Sequence, residues 1–182
     1  ADGADALFAP SRLPPLDAPV PAHWAREGDD ETCGRWFARV DPRTASTWIY
    51  PSIMPPRGYQ VSIVKESLYK NCLVCLPTGL GKTMIAAVAM YNYRRWFPDG
   101  QIIFMAPTRP LVAQQVSACH GSVGLPEHET AEINGNTNVE TRRALWVERR
   151  VFYCTPQTVL NDLEKGVLDA SRVVLVVVDE AH

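Results

Sequence analysis

The chain has 182 residues, 46% hydrophobic and 21% charged, the balance of one ordinary globular domain rather than of a disordered or fibrous chain. Its apolar runs fall far short of the ~18 residues a membrane helix needs, and the acidic, proline-rich start lacks the basic-then-apolar order of a secretory signal. Net charge is −2, with eight acids and five bases in residues 1–50 against twelve and thirteen in 51–182, so nucleic acid would be met by local groups and not by a general basic field.

Nine of the fifteen prolines lie in residues 1–56. Residues 1–45 have no sustained apolar period and read as a flexible acidic segment; Trp24, Trp36 and Phe37 read as a loose extension resting on the domain, with a docking segment as the alternative. Residues 46–182 read as the folded domain. The pattern predicts a helix over 57–69 opened by Pro55-Pro56, then a short apolar strand over 72–76. A helix from Gly81 to about Phe97 is stopped by Pro98-Asp99-Gly100. A strand over 101–106, a helix over 110–117 and a short strand over 129–133 follow. Next come a helix over 138–148, a strand over 151–154 and a helix over 156–165 with proline in its first turn. The final strand, 173–178, is apolar at every position, as in a parallel sheet covered on both faces. This alternation predicts an α/β fold, a parallel sheet with helices on both sides.

Of the five cysteines, Cys72 and Cys75 are spaced CxxC. A structural zinc site needs four ligands and no second pair follows. They read as small buried residues of the 72–76 strand, pointing to opposite faces.

The first strand runs through Pro77-Thr78-Gly79-Leu80-Gly81-Lys82-Thr83 into a helix, the setting of a phosphate-binding loop. Gly79 and Gly81 let backbone N–H groups curl toward phosphate oxygens, and the helix start adds unpaired N–H groups and a positive dipole end. Thr78 and Leu80 complete the loop. Lys82 can reach the β and γ phosphates of ATP, and the Thr83 hydroxyl can ligate Mg2+. Leu76 stands where the general motif has a glycine. A plain glycine turn capping a helix is the alternative.

The last strand delivers Asp179-Glu180-Ala181-His182. Carboxylates at the end of a buried strand need a partner or solvent. With the glycine loop upstream, Asp179 would hold magnesium, partly through water, opposite Thr83. Glu180 would polarise the attacking water. Solvated strand-end acids are the alternative. An ending directly after this acidic pair reads as a piece of a longer chain.

On these residues the sequence resembles the superfamily 2 helicases of the DEAH-box type. Arg57-Gly58-Tyr59-Gln60 resembles the adenine-reading motif of that family, with Gln60 on the adenine edge and Arg57 and Tyr59 beside it. Ala106-Pro-Thr-Arg-Pro-Leu-Val-Ala-Gln-Gln115, Gly135-Asn136 and Thr155-Pro156-Gln157 fall where relatives grip a nucleic-acid backbone. The resemblance thus implies contacts from Thr108, Arg109, Gly135, Asn136, Thr155 and Pro156. Thr47-Trp-Ile-Tyr-Pro51, the glycine loop with its leading Leu76, Met90-Tyr-Asn-Tyr93 with Arg95-Trp-Phe-Pro98, and Val159-Leu-Asn-Asp162 narrow the likeness. They resemble the family of the Fanconi anaemia group M protein, archaeal Hef and their fungal counterparts, over roughly 46–182. That resemblance implies the first of two RecA-like domains, here incomplete. It implies ATP hydrolysis driving movement on branched DNA in repair, catalysed through Lys82, Asp179 and Glu180, with ATP and Mg2+ as cofactors. Its implied partners are DNA, a second RecA-like domain of the same chain and repair-complex proteins, and its implied location is the nucleus. By itself the 182-residue piece is expected to turn ATP over poorly. An RNA-directed ATPase of the Dicer or RNA-sensor kind, and a non-catalytic binding module, are the rival readings.

Overall fold

The computed structural model describes residues 38–52 and 55–181; Trp24, Trp36, Phe37 and His182 lie outside the described residues. Four strands, β1 (Gln101–Met105), β2 (Thr130–Glu132), β3 (Val151–Cys154) and β4 (Val173–Val178), form one sheet in the order β2-β3-β1-β4. Every pairing is parallel.

Side chains along a strand alternate between faces, and here both faces of β1 and β3 are covered. Ile102, Phe104, Val151 and Tyr153 enter a larger core with residues of α3 (Lys82–Trp96) and α4 (Arg109–Val123). Ile103, Phe152 and Cys154 enter a smaller core on the other side. There they meet Trp146 of α5 (Val139–Glu148) and Val159 of α6 (Pro156–Glu164). The expected α/β layering is present. Burial pushes the Cys154 thiol up to about 12, so it acts as a small core residue.

The helices form where composition and caps allow. Ala87, Val88, Met90, Tyr91 and Trp96 of α3 are fully buried. Asn138 caps α5, accepting from the Glu140 N–H at 2.8 Å. Helix α4 runs well past the expected 110–117, because Val112, Gln115, Cys119 and Val123 keep a buried stripe at helical spacing. Gly124, with φ of 60°, ends it.

Two short helices, α1 (Pro42–Ala45) and α2 (Gly58–Ser67), flank α3. Packed structure begins upstream of residue 46. The Asp41 N–H donates to Trp96 O at 2.8 Å, the Thr44 hydroxyl to Arg95 O at 2.8 Å, and Ala45 is buried. Asn92, with no exposure, pins the next stretch from both sides. It accepts from the Ile49 N–H at 2.8 Å and donates to Ile49 O at 2.9 Å.

Two expectations need correction. Residues 72–76 belong to no strand. The stretch still alternates, with Val74 and Leu76 packed on the larger core. However, among the described residues no neighbouring strand pairs with it, and a strand without a ladder is not one. Cys72 and Cys75 are therefore exposed rather than buried, and Leu73 is 80% exposed. Likewise β4 is not covered throughout. It is an edge strand, and Val176 and Val178 remain about half exposed.

Glu129, just before β2, ties three elements together. It accepts two bonds of 2.8 Å from Arg94 of α3 and one of 3.1 Å from Arg150, just before β3. Arg150 also donates to the carbonyls of Arg94 and Phe97 at 2.8 Å each. Burial opposes ionisation of Glu129, but the Arg94 bonds and the two guanidinium charges outweigh it and hold the carboxyl below its ordinary value. Glu129→Gln is expected to cost roughly 3 kcal/mol near neutral pH by leaving two guanidiniums underpaired. A depressed folded-state pKa stabilises only while the group is ionised. The gap between wild type and variant should therefore close as pH falls below the ordinary 4.5. Urea unfolding of both proteins as a function of pH measures it.

Candidate nucleotide and nucleic-acid site

The register of the sheet decides where the candidate residues go. Met105 pairs with Cys154 on one side and with Val178 on the other. The strand ends of β1, β3 and β4 therefore share one edge. The ladder continues past it, with Ala106 N–H donating to Cys154 O at 3.1 Å and Asp179 N–H to Met105 O at 2.8 Å. Thr155 and Pro156, and Asp179 and Glu180, follow directly, and Thr108 and Arg109 come after Ala106 and Pro107. Gly135 and Asn136 come soon after β2, whose Glu132 pairs with Tyr153. Arg109 Nη2 donates to Asn136 Oδ1 at 3.1 Å, joining two of the candidate backbone-contact segments.

Helix starts add donors to the same edge. Thr108 is the N-cap of α4 and makes no side-chain cap bond, and proline opens the helix. Thr155 is the N-cap of α6, again followed by proline, and its hydroxyl lies 3.0 Å from that of Thr158. First-turn N–H groups have no helical acceptor, so both starts can bind anionic oxygens. A polar cavity of about 350 Å³ adjoins this end of the edge, lined by Gly135, Thr137, Asn138, Thr158, Asn161 and Lys165 among others. It is walled by a buried ion pair. Arg142 donates from Nε and Nη2 to Asp162 at 2.8–3.0 Å, and the Trp146 indole N–H donates to the same carboxylate at 2.8 Å. The Asp162 hydrogen bond raises the Arg142 pKa.

The glycine loop approaches the edge through α3. Phe97–Gly100 turn the chain directly from the end of α3 into β1, and α3 packs on β1 and β4. Its start therefore lies toward the strand C-termini. Gly79 and Gly81 have φ of 84° and 82°, the left-handed region that glycine occupies without a Cβ penalty. Thr78 and Gly79 are exposed, and Gly81, Lys82 and Thr83 partly so. Lys82 Nζ donates to Leu76 O at 2.9 Å, across the base of the loop. Gln60, only 8% exposed, donates to Leu80 O at 3.1 Å. Tyr59 donates to the same carbonyl at 2.9 Å, and Arg57 to the Tyr59 hydroxyl at 3.2 Å. The candidate adenine-side residues are thus brought to the glycine loop.

Glu180 is the one described non-glycine residue with positive φ, at 52°. Held left-handed conformations of this kind cost energy and gather at functional sites. Asp179 is partly buried and accepts from Gln115 Nε2 at 2.9 Å.

Two members of the site were not singled out from sequence. Tyr50 donates to Gln60 Oε1 at 3.3 Å from a position only 4% exposed; it lies in the quoted Thr47–Pro51 segment, edge-on to Trp48, but nothing local ties it to Gln60. Gln115 lies within the quoted Ala106–Gln115 segment, but its bond to Asp179 spans 64 residues. Its inward direction shows only once α4 is seen whole, with Gln115 on one buried face with Val112, Cys119 and Val123.

Residues 57–182 match the family model described as DEAD/DEAH box helicase. The chain is 48% identical over 156 residues to the ATP-dependent DNA helicase fml1 of Schizosaccharomyces pombe, covering 86% of this chain and 19% of that protein. It is 53% identical over 135 residues to the Fanconi anemia group M protein homolog of Mus musculus, covering 74% of this chain and 7% of that one. The solved Pyrococcus furiosus Hef helicase domain matches with a TM-score of 0.65 and 38% identity, over 70% of this chain and 26% of that chain. The chain therefore spans less than a fifth of the length of these curated relatives.

The two loop glycines separate strain from contact. At Gly79 a Cβ meets nothing within 4 Å, whereas at Gly81 it would lie 2.3 Å from Gln60 Nε2. Gly79→Ala should cost about 1–2 kcal/mol from the left-handed backbone alone. Gly81→Ala should cost about 1 kcal/mol more, because it also displaces the Gln60 amide from Leu80. Thermal unfolding of the two variants gives the difference.

Proposed function

The chain belongs to the DEAD/DEAH box helicase family, and from that premise we propose that it is the ATP-binding part of a DNA translocase that acts on branched DNA in repair. The observation that carries the reading is the common edge. One register line brings the acidic pair after β4 and the candidate backbone contacts after β1 and β3 together. The name of fml1, an ATP-dependent DNA helicase, supports DNA as the track, while an Arabidopsis thaliana relative named an RNA helicase keeps RNA as the rival.

In this reading Gln60, with Arg57 and Tyr59, meets the adenine, and Thr78, Gly79, Leu80 and Gly81 wrap the phosphates with backbone N–H groups. Lys82 leaves Leu76 O for the β and γ phosphates. Magnesium fits the donors available. The Thr83 hydroxyl and the Asp179 carboxylate are hard oxygen ligands. Beside that carboxylate the buried Gln115 Oε1 has no hydrogen-bond partner, an acceptor suited to a metal-held water. Bound there, magnesium neutralises charge on the phosphates. Glu180 holds the attacking water and accepts its proton. Thr108, Arg109, Gly135, Asn136, Thr155 and Pro156 hold the DNA backbone through oriented amides and one cation, so a net charge of −2 is no obstacle. The motor is completed by a second RecA-like domain, works in the nucleus and joins repair-complex proteins.

The test uses the full-length protein. Forked DNA is expected to stimulate ATP hydrolysis well above double-stranded RNA; the reverse order would replace DNA by RNA in the proposal. Lys82→Ala should abolish hydrolysis, and an unchanged rate would make the domain a non-catalytic module. Glu180→Gln should lower kcat by about 10²–10⁴ while leaving affinity for an ATP analogue nearly unchanged. Steady-state kinetics with a fluorescent-nucleotide titration separate these effects.

A further inference from the structure

Asp179 is held from two directions. Its backbone N–H is fixed to Met105 O at 2.8 Å, and its Oδ2 accepts from Gln115 Nε2 at 2.9 Å. Gln115 belongs to α4, the helix whose start presents Thr108 and Arg109 at the strand edge. Gln115 lies six steps along α4 from Arg109, about 9 Å along a helix. A helix transmits displacement over that distance with little internal loss. Gln115 is 8% exposed and shares the inward face of α4 with Val112, Cys119 and Val123. An apolar side chain would serve the packing there. A glutamine instead brings a polar amide into the core, and only half of that amide is satisfied. Its Nε2 is on Asp179, while its Oε1 is buried without a hydrogen-bond partner. Buried orphan acceptors are uncommon and costly.

We propose that Gln115 is a positioning residue that ties the carboxylate of Asp179 to α4, so that nucleic acid gripped at the start of the helix is sensed at the metal-binding carboxylate. The proposal rests on the reading of Asp179 as the magnesium residue. When the α4 start closes on a nucleic-acid backbone, Gln115 moves with the helix and turns the Asp179 side chain about its fixed backbone. The unpaired Oε1 then has a use, as acceptor for a donor that arrives with the nucleotide, such as a metal-held water. Binding of the track and readiness of the nucleotide site are coupled through one hydrogen bond instead of through the sheet.

Gln115→Met in the full-length protein keeps the length and volume of the side chain and removes the bond. Two quantities read its effect. One is the Mg2+ concentration for half-maximal binding of a fluorescent ATP analogue without DNA. The other is the ratio of DNA-stimulated to basal ATPase at saturating Mg2+. The Mg2+ requirement should rise about tenfold, since hydrogen bonds to charged groups are worth that much. The stimulation ratio should fall by a similar factor, with DNA affinity unchanged. Val123→Ala, two turns further along the same buried face, removes packing and should alter neither quantity. An unchanged Mg2+ requirement and ratio in Gln115→Met overturns the proposal. So does an equal loss in Val123→Ala, which would make Gln115 mere packing. Gln115→Ala carries the same readouts if the methionine variant fails to fold, and failure of both to fold also overturns it. Asp179→Asn isolates the underlying reading. If that variant keeps the wild-type Mg2+ requirement, the magnesium role of Asp179 fails irrespective of Gln115.

Discussion

The parallel pairing of β1 with β3 and β4 is the constraint from which the rest follows. Parallel strands paired in register end together. Chain segments far apart in sequence thereby leave the sheet at one line, Met105 beside Cys154 and Val178. The register is held by burial on both faces, since a shift by one residue would exchange Ile102 and Phe104 with Ile103 and break both cores at once. Once it is set, the starts of α4 and α6 and the carboxylates after β4 need no further device to leave the sheet at one line. That is the general reason open parallel sheets bind ligands at the carboxyl ends of their strands.

Around this edge the structure uses polar bonds to fix backbone that has no regular partner. Asn92 holds the strap at Ile49 in both directions, which sets Tyr50 against Gln60, which in turn holds Leu80 of the glycine loop. Each link is an ordinary hydrogen bond worth about 1 kcal/mol net. Their series converts the rigid middle of α3 into a defined position for a loop with little packing of its own. The Arg142–Asp162 pair does the same work on the opposite face. With the Trp146 indole also on the Asp162 carboxylate, and the N–H groups of Val167 and Leu168 on its backbone carbonyl, α5, α6 and the chain leaving α6 converge on a single residue. A buried pair so fully hydrogen-bonded offsets its desolvation far better than a bare one.

What could be read from the sequence follows from how local the determining physics is. The helix over 82–96 and the strands over 101–105, 151–154 and 173–178 carry their own periodicity, caps and stops, and each was placed within a residue or two. Asp179, Glu180 and the glycine loop could be proposed from sequence because the chemistry read into them demands fixed spacing. The stretch 72–76 has strand composition, yet being a strand is a property of a pair, and no partner among the described residues completes it. α4 was cut short because polar residues between its buried positions hide a stripe that only a whole helix displays. Tyr50 and Gln115 act across 10 and 64 residues, and no local pattern encodes a distance of that kind.

Gln115 and Glu180 together indicate how such an edge can be responsive as well as rigid. The strand ladder fixes the backbone of Asp179, so the site cannot drift. One residue later Glu180 is held at a φ of 52°, a conformation that persists only where its surroundings enforce it. The carboxylate of Asp179, by contrast, is held by a single side chain from a different element. Under the coupling proposed above, a fixed backbone carries a side chain that α4 can turn through one hydrogen bond. The energy needed to switch it is that of one charge-assisted hydrogen bond, about 1.5–3 kcal/mol, which matches the typical coupling between two ligand sites in one protein. A stronger tether would lock the two sites together, and a weaker one would leave them independent.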